Sequence, residues 1–358
     1  MDQLSIPRQC FIASNSCEGF QNYLPTALAA APVDRLFMIK GGPGTGKSHF
    51  MRVVARRARE RGYAVTEYLC SSDPASLDGL RLTKEGAPTL GFWDGTPPHA
   101  LDPVLPGAMD EILNLGMFWD TAALGAQREA ISALGQKKAA AYANAYAALA
   151  AAGRMEGITE ALVGPCVHRG RLVALATRLL RDQPEEGTFV SIPALRSALS
   201  MAGKHTLHSF EASARRLLLP DEGYGLGYRL TAAMLEVSRA RGLRVVVSYH
   251  PVYPARIDGL FYPATGLCVL VGEATPPEGI PTRSLSLRRY ADGEALRGIR
   301  GELRRTVSLR EELVEAALRH LATAASYHFE LERIYAAAMD FKAKEAYTER
   351  VCEEVLGG

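Results

Sequence analysis

The stretch that decides the fold reads Gly41-Gly42-Pro43-Gly44-Thr45-Gly46-Lys47-Ser48. An apolar run, residues 36–39, precedes it, and a helix-like run, residues 49–61, follows it. The stretch matches the pattern G-x-x-x-x-G-K-[ST] at every fixed position, and strand, loop and helix follow in the order that the pattern requires. We name residues 41–48 the phosphate loop, because the pattern predicts that they bind a nucleoside triphosphate.

The residue types in the loop fit the chemistry of phosphate binding. Backbone N–H groups must turn inward around a phosphate, and glycine allows the dihedral angles and the close approach that this needs. The helix that follows adds unpaired N–H groups and the positive end of its dipole. Lys47 is expected to reach the β- and γ-phosphates, and the Ser48 hydroxyl to bind Mg²⁺. A glycine-rich turn with a purely structural role would not explain Lys-Ser after Gly46. The predicted cofactors are ATP and Mg²⁺, and the predicted nucleotide contacts are Gly42, Pro43, Gly44, Thr45, Gly46, Lys47, Ser48 and His49.

Length and composition limit the class of protein. With 358 residues and 47% hydrophobic content, two domains are expected. A net charge of +2 gives no reason to expect a nucleic-acid partner or an anionic membrane. The six cysteines form no C-x-x-C pair and no cluster at zinc spacing. No apolar run approaches the roughly 20 residues of a membrane span, so we expect a cytoplasmic protein.

An aspartate at the end of a predicted strand is the second candidate feature. The strand, residues 89–93, ends at Asp94. In the Walker B arrangement, such a carboxylate holds Mg²⁺ directly or through water opposite the phosphate loop. Many strands end in aspartate only to start a turn, but the loop upstream favours the functional interpretation. The predicted metal ligands are therefore Ser48 and Asp94.

Other candidate residues follow two neighbouring strands. After a strand at residues 64–69, Asp73 is expected to cap a helix that has proline at its first position. The catalytic candidates are Lys47, Asp94 and Asp73. An irregular segment, residues 95–107, follows Asp94 and is a candidate to face the γ-phosphate or a substrate through Thr96, His99 and Asp102, although His99 could equally cap a turn. From residue 110 onward the pattern predicts helices, over residues 110–119, 121–152 and 308–355.

The chain also repeats itself at a period near 180 residues. The segment Arg35 to Ser48 aligns with Arg216 to Arg229, so that glycines 44 and 46 meet glycines 225 and 227. The second copy has Tyr228 and Arg229 in place of Lys47 and Ser48, which predicts a single active site. The expected fold class is α/β: two P-loop NTPase-like, three-layer α/β/α domains with parallel sheets, each followed by a helical segment. The expected domains are residues 1–165, with the intact loop and a helical extension, and residues 166–358, the degenerate repeat.

These motifs together resemble an uncharacterised bacterial P-loop ATPase family, nucleotide-kinase-like, built from two tandem P-loop halves. The resemblance spans nearly the whole chain and implies ATP binding without naming a substrate. The family usually keeps an intact loop in its second half as well, and this sequence departs from that pattern. Besides the phosphate loop, the resemblance rests on Cys70-Ser71-Ser72-Asp73-Pro74-Ala75-Ser76-Leu77-Asp78-Gly79, Asp94-Gly95-Thr96 with Pro98-His99, Asp102-Pro103, Pro106-Gly107, Asn114-Leu115-Gly116 with Trp119-Asp120, and Ala338-Met339-Asp340-Phe341.

Three functions stay open at this point. The first is an ATPase, which needs a carboxylate to activate water; no glutamate follows Asp94 directly, and Asp73 or Asp78 could serve instead. The second is a small-molecule or nucleotide kinase, which the Gly-Gly-Pro-Gly opening favours and the lack of an arginine-rich lid disfavours. The third is a nucleotide-gated interaction module without catalysis. The expected partners are ATP and either a small-molecule acceptor or another protein, with neither membrane nor nucleic acid expected.

Overall fold

The computed structural model describes residues 6–357, which form strands and helices in alternation. The strands are β1 (Gln9–Phe11), β2 (Ala13–Ser16), β3 (Gly19–Asn22), β4 (Arg35–Lys40), β5 (Ala64–Leu69), β6 (Leu77–Thr83), β7 (Leu90–Asp94), β8 (Asp110–Asn114), β9 (Val190–Pro193), β10 (Ser197–Ser200), β11 (Gly203–Thr206), β12 (Arg216–Pro220), β13 (Arg244–Tyr249), β14 (Ile257–Tyr262), β15 (Leu267–Leu270) and β16 (Thr282–Leu285). The α-helices are α1 (Leu24–Ala30), α2 (Lys47–Glu60), α3 (Thr121–Ala126), α4 (Arg128–Val163), α5 (Arg169–Leu179), α6 (Ser209–Ser213), α7 (Leu226–Ala240), α8 (Gly293–Ala337) and α9 (Phe341–Leu356).

The chain divides into two compact units, each made of segments distant in sequence. Among the described residues, unit 1 comprises 32–145 and 319–357, and unit 2 comprises 6–31 and 146–318. These units do not coincide with the expected domains, residues 1–165 and 166–358. The long helices α4 and α8 each have residues in both units, so neither unit is a continuous piece of chain.

The sheet of unit 1 is centred on β4, whose neighbours are β7 and β8. Residues 36–39 of β4 are all buried, as expected for a central strand covered on both faces. β7 and β8 both run parallel to β4, and the five strands of this sheet that belong to unit 1 have the order β5-β6-β7-β4-β8. The carboxyl ends of β4 and β7 therefore meet at the same edge, directly before the phosphate loop.

Unit 2 contains a sheet with the same arrangement. Its strands have the order β9-β13-β14-β15-β12-β16, and β12 runs parallel to β15 and β16 on its two sides. β12 is followed by α7, as β4 is followed by α2. Each unit thus contains the same succession of strand and helix, which is what an internal duplication predicts.

The expectation of parallel sheets is wrong, because both six-stranded sheets are mixed. β6 is antiparallel to β5 and β7, and β14 is antiparallel to β13 and β15. The physical reason is the length of the connections. The segment between β5 and β6, residues 70–76, forms turns rather than the helix predicted at Asp73. So short a connection suits a hairpin, whereas a parallel crossover needs about a dozen residues or more.

Two further expectations change with the structure. Residues 110–119, predicted as a helix, form β8 and a short 3-10 helix, because residues 110–114 pair with β4. The helices predicted over residues 121–152 and 308–355 are present but are divided differently, as α3 with α4 and as α8 with α9. None of the helices in the described part of the chain is long and apolar enough to cross a membrane.

In each unit one helix packs against the helix that follows the central strand. In unit 1, α9 packs against α2, and in unit 2, α5 packs against α7. Short backbone pairings fix both arrangements: the Asp340 N–H donates to the carbonyl oxygen of Phe118, and the His168 N–H donates to that of Tyr290. By these pairings α5 is the counterpart of α9, since each begins directly after the paired residue.

Candidate functional site

The phosphate loop of unit 1 is held open by two left-handed glycines. Gly44 has φ 72° and Gly46 has φ 77°, a region that side chains other than glycine rarely adopt. Helix α2 begins directly afterwards, at Lys47, so the first N–H groups of the helix, which have no partner within it, lie at the loop. The buried Thr45 donates from Oγ1 to the carbonyl oxygen of Gly42 at 2.9 Å and closes the loop on itself. This backbone shape leaves the loop open at the start of α2.

Lys47 lies across the loop and beside Asp94. Its Nζ donates to the carbonyl oxygens of Gly41 and Gly42 at 2.8 and 2.9 Å. The same nitrogen is 3.6 Å from Asp94 Oδ2, and both side chains are mostly buried, with 13% and 12% exposed. The structure therefore brings two of the predicted catalytic residues together. Because the side-chain nitrogen is held by two carbonyls and faces a carboxylate, it is positioned before any anion arrives.

Asp94 reaches this position through the parallel pairing of β4 and β7, in which Ile39 lies opposite Asp94. Its Oδ1 accepts hydrogen bonds from the backbone N–H and the hydroxyl of Thr96, at 2.9 and 2.6 Å. Burial raises the pKa of the carboxyl above its ordinary value, although the Lys47 charge and the Thr96 donors lower it. Oδ2 is thereby left to face Lys47.

Ser48, the other predicted magnesium ligand, lies in the first turn of α2. Its Oγ accepts a hydrogen bond from the Leu77 N–H at 3.0 Å, which orients the hydroxyl and leaves a second lone pair. His49, predicted as a nucleotide contact, has an exposed side chain. Among residues 6–357 no group of three or more His, Cys, Asp or Glu side chains could hold a metal. A magnesium ion of the phosphate-loop kind needs no such group, since it keeps several waters and phosphate oxygens as ligands.

Asp73, the third predicted catalytic residue, is fully engaged in its own turn. Oδ1 accepts from the Ala75 N–H at 3.2 Å, and Oδ2 accepts from Ser76 Oγ at 2.7 Å. The Ser76 N–H also donates to the Asp73 carbonyl oxygen. These bonds explain why the chain turns here instead of starting a helix. The aspartate is still close enough to the loop region to raise the pKa of Glu332.

The irregular segment after Asp94 is held by buried polar contacts. His99 Nε2 is 3.0 Å from Asp78 Oδ2, and both side chains are almost fully buried. Burial alone would lower the pKa of His99, but the hydrogen bond and charge of Asp78, together with Asp94, raise it above its ordinary value. Lys40 Nζ donates to the carbonyl oxygens of Gly95 and Leu101. His99, proposed from sequence as a substrate-facing group or a turn cap, contacts Asp78, the second residue of β6.

Helix α8 contacts the loop, and no motif in the sequence indicates this contact. A Cβ built on Gly44 would lie 2.6 Å from the carbonyl oxygen of Glu332 and 2.9 Å from the backbone nitrogen of Ala336, so only glycine fits here. Burial and the Asp73 charge raise the pKa of the Glu332 carboxyl, while Lys47, the Gly44 N–H and Lys138 lower it. The Glu332 carboxylate thus lies where a loop N–H and two lysines attract an anion.

A cavity of about 460 Å³ opens beside the loop. A Cβ built on Gly42 would lie 3.2 Å from the ring of Trp119, and the rings of Trp119 and Tyr335 are 5.3 Å apart. The indole Nε1 of Trp119 is buried and has no hydrogen-bond partner in the described part of the chain. One face of α3 and α4 forms the opposite wall, so the cavity is mainly apolar with a few polar groups. Its lining residues are Trp119, Thr121, Leu124, Gly125, Arg128, Ile131, Ser132 and Tyr335.

The corresponding loop of unit 2, residues 222–229, has a different content. Arg229 pairs with Glu160, and Arg256 pairs with both Glu156 and Glu160. A Cβ built on Gly225 would lie 3.4 Å from the Arg256 guanidinium, so that this side chain covers the loop from within the unit. The absence of lysine and serine predicts loss of function at the second loop. In the structure, the ion pairs of Arg229 and Arg256 lie at this loop.

Comparison of the chain with protein-family models, with curated proteins and with solved structures found no match. The resemblance to a tandem P-loop ATPase family therefore stays a prediction. What the structure offers for ATP and Mg²⁺ is the residue set of unit 1: an open loop at the start of a helix, an ammonium, a hydroxyl and a carboxylate. N–H groups and an ammonium are the donors that phosphate requires, and hydroxyl and carboxylate oxygens are ligands that magnesium accepts.

Proposed function

We propose that the protein is a Mg²⁺-dependent ATP-binding protein with one active nucleotide site, in unit 1, and that it hydrolyses ATP. The observation that carries the proposal is the convergence of Lys47 and Asp94 at 3.6 Å across a loop with two left-handed glycines. A random strand, turn and helix would have no reason to bury an ammonium and a carboxylate together at the start of the helix. Asp94 lies outside the motif at residues 41–48, so its position beside Lys47 supports the proposal independently of the motif.

Each residue has a definite part in this proposal. The N–H groups at the start of α2 hold the phosphates, and Lys47 leaves its two loop carbonyls to neutralise the β- and γ-phosphates. Ser48 and Asp94 are the groups that would hold Mg²⁺, directly or through water, and the ion would supply charge neutralisation between the phosphates. Positioning and charge stabilisation account for most of the catalysis in such sites.

Hydrolysis also needs a carboxylate that orients water. Asp73, the sequence-based candidate, is held by two hydrogen bonds in its turn. Glu332 is a further carboxylate of unit 1 next to the loop, and burial and the Asp73 charge raise its pKa above the ordinary value. We therefore keep Asp73 as a candidate and add Glu332 beside it.

The cavity beside Gly42 supports the second candidate function, a small-molecule or nucleotide kinase. Its volume is in the range of small-molecule sites, which are mostly apolar with a few polar groups. The Trp119 and Tyr335 rings could pack on a planar acceptor, and the guanidinium of Arg128 at the wall could meet its charge. A phosphoryl acceptor bound there would lie directly beside the phosphate loop.

One assay tests the proposal and separates the two reactions. The purified protein is incubated with MgATP alone and with MgATP plus a metabolite mixture, and ADP release is followed. Steady release with ATP alone supports hydrolysis, whereas release only with the mixture supports a kinase. Lys47→Ala should weaken ATP binding at least about a hundredfold, because it removes the cation aimed at the phosphates. Tyr228→Ala, at the aligned position of the second loop, is the matched control and should bind ATP normally. Normal ATP binding by Lys47→Ala would refute the proposal.

A further inference from the structure

A buried lysine lies at the other end of the phosphate loop. Lys344, in α9, is 1% exposed. A Cβ built on Gly46 would lie 3.5 Å from Lys344 Nζ and 3.7 Å from the ring of Phe341. Because Gly46 is the residue directly before α2, the ammonium lies at the start of that helix. This position is separate from that of Lys47, whose nitrogen is bound to the first two residues of the loop.

The Lys344 ammonium has no ion-pair partner among residues 6–357. Its charged neighbour is Glu345, the next residue along the helix, which raises the pKa of Lys344, whereas burial lowers it by a larger amount. The ring of Phe341 is 5.9 Å from Nζ. Burying an ammonium without a partner costs free energy, and buried charges in proteins are normally paired or bound to a ligand. An anion bound from outside the described chain would remove this cost.

Unit 2 provides an internal comparison. Helix α5 packs against α7 as α9 packs against α2, and the fourth residue of α5 is Leu172, where the fourth residue of α9 is Lys344. Leu172 is also buried, at 2% exposed. The same position of the counterpart helix thus carries a buried apolar side chain in the core of unit 2, and a buried cation beside the loop of unit 1 that has kept its lysine and serine.

We propose that Lys344 is a phosphate-binding residue of the nucleotide site, and that its ammonium contacts a phosphate oxygen of ATP or ADP at the Gly46 end of the loop. The proposal rests on the proposed function of unit 1. Lys47 and Lys344 then hold the phosphate chain from two sides. Phosphate supplies the anion that the buried ammonium lacks, and the leucine in unit 2 reflects a loop with no phosphate to bind.

The test uses the full-length protein with inorganic tripolyphosphate and with ADP as probes, measured by calorimetry. Lys344→Leu copies the residue of unit 2 and should therefore fold, with a melting temperature equal to or above that of the natural protein. We expect it to bind both probes at least about tenfold more weakly, because a charged contact is lost. Lys342→Leu, an exposed lysine on the same helix, is the matched control and should stay within about twofold. Lys344→Arg should restore part of the affinity.

The outcomes separate the two proposals. If Lys344→Leu binds tripolyphosphate and ADP like the natural protein while Lys47→Ala does not, the role of Lys344 is refuted and the proposed function stands. If the natural protein binds neither probe, the proposed function fails and the role of Lys344 fails with it. Lys344→Met, of similar volume, replaces the leucine variant should the latter not fold, and the same affinity limits apply to it.

Discussion

The two loops of the molecule, residues 41–48 and 222–229, follow equivalent strands but are built differently. Gly44 and Gly225 share the left-handed conformation, with φ 72° and 70°. Gly46 is left-handed as well and lies before α2, whereas Gly227, its aligned partner, lies inside α7, which begins at Leu226. The helix of unit 2 therefore starts earlier and takes up residues that form the cradle in unit 1. Loss of the lysine and serine is accompanied by loss of the open loop.

The charges around the two loops differ in the same way. Beside Gly225, Glu156 and Glu160 are paired with Arg229, Arg256 and Arg310, all from unit 2. Beside the first loop, Lys344 has no carboxylate partner in the described chain, and Lys47 is held mostly by carbonyls. The charges at the second loop are paired within unit 2, whereas Lys344 at the first loop has no carboxylate partner among residues 6–357. The difference teaches that a degenerate site can be recognised by what fills it as well as by what it lacks.

The largest expected effect concerns the ion pairs of the second loop. Arg256→Ala should lower the free energy of unfolding by about 3–5 kcal/mol, because Glu156 and Glu160 lose a buried partner. Chemical denaturation measures the change, and nucleotide binding should stay normal. Arg305→Ala, an exposed arginine on α8, is the control and should change stability by less than about 0.5 kcal/mol. A loss below about 1 kcal/mol for Arg256→Ala would show that the pairs do not fill the site in the way we describe.

A smaller effect concerns Asp78 and Asp258, which are the second residues of the corresponding strands β6 and β14. Asp78 of unit 1 bonds His99, whereas Asp258 of unit 2 accepts from the hydroxyls of Ser197 and Ser248. His99→Gln should cost about 2 kcal/mol at pH 6, as expected for a hydrogen bond between charged groups. The raised pKa of His99 means that this stability is fully present below its unfolded pKa of about 6.5 and is lost as the pH rises through the folded value.

Denaturation curves from pH 6 to 9 test the sign of this effect. The difference between the natural protein and His99→Gln should shrink as the pH rises. Ser197→Ala in unit 2 removes a donor to the Asp258 carboxylate, whose pKa is raised to about 6, so its difference from the natural protein should not shrink as the pH rises. A difference that grows with pH would mean that His99 is neutral when bonded to Asp78.

The third prediction concerns the ring that packs on the first loop. Trp119 and Ala291 occupy equivalent places, since Trp119 bridges to Met339 and Ala291 bridges to Val167. Trp119→Ala copies unit 2 and should weaken tripolyphosphate binding about tenfold, because the loop loses its support at Gly42. Leu124→Ala removes another wall of the same cavity without touching the loop and should leave that affinity within about twofold. Equal effects of the two variants would show that the cavity, and not the contact of Trp119 with Gly42, determines the affinity for tripolyphosphate.

The smallest effect concerns the glutamate next to Gly44. Glu332→Gln should tighten tripolyphosphate binding roughly threefold at pH 7, because the carboxylate competes for the Gly44 N–H and the lysines; the effect is small because the side chain is 40% exposed. Since the pKa of Glu332 is raised, the advantage of the variant should shrink as the pH falls and the natural carboxyl becomes protonated. Glu330→Gln, exposed on the same helix, should have no effect. Weaker binding by Glu332→Gln would instead assign the carboxylate a supporting role.

The local part of this site could be predicted from sequence, and the distant part could not. The strand, the loop and α2 form one continuous motif. Asp94 was predictable because it ends an apolar strand. Lys344 and Glu332 reach the loop only through the packing of α9 and α8, and no spacing in the sequence indicates that contact. The antiparallel direction of β6 could not be predicted, because Asp73-Pro74 suits the start of a helix as well as a turn. Turn hydrogen bonds from Ala75 and Ser76 decide the matter.

The packing of α8 and α9 on the phosphate loop also sets an order of events during synthesis. The loop lies early in the chain, whereas Glu332 and Lys344 lie close to its end. A chain growing on the ribosome therefore contains the loop long before it contains the residues that pack on Gly44 and Gly46. The loop reaches its final surroundings only after Glu332 and Lys344 have been made, so that an early part of unit 1 waits for a later one.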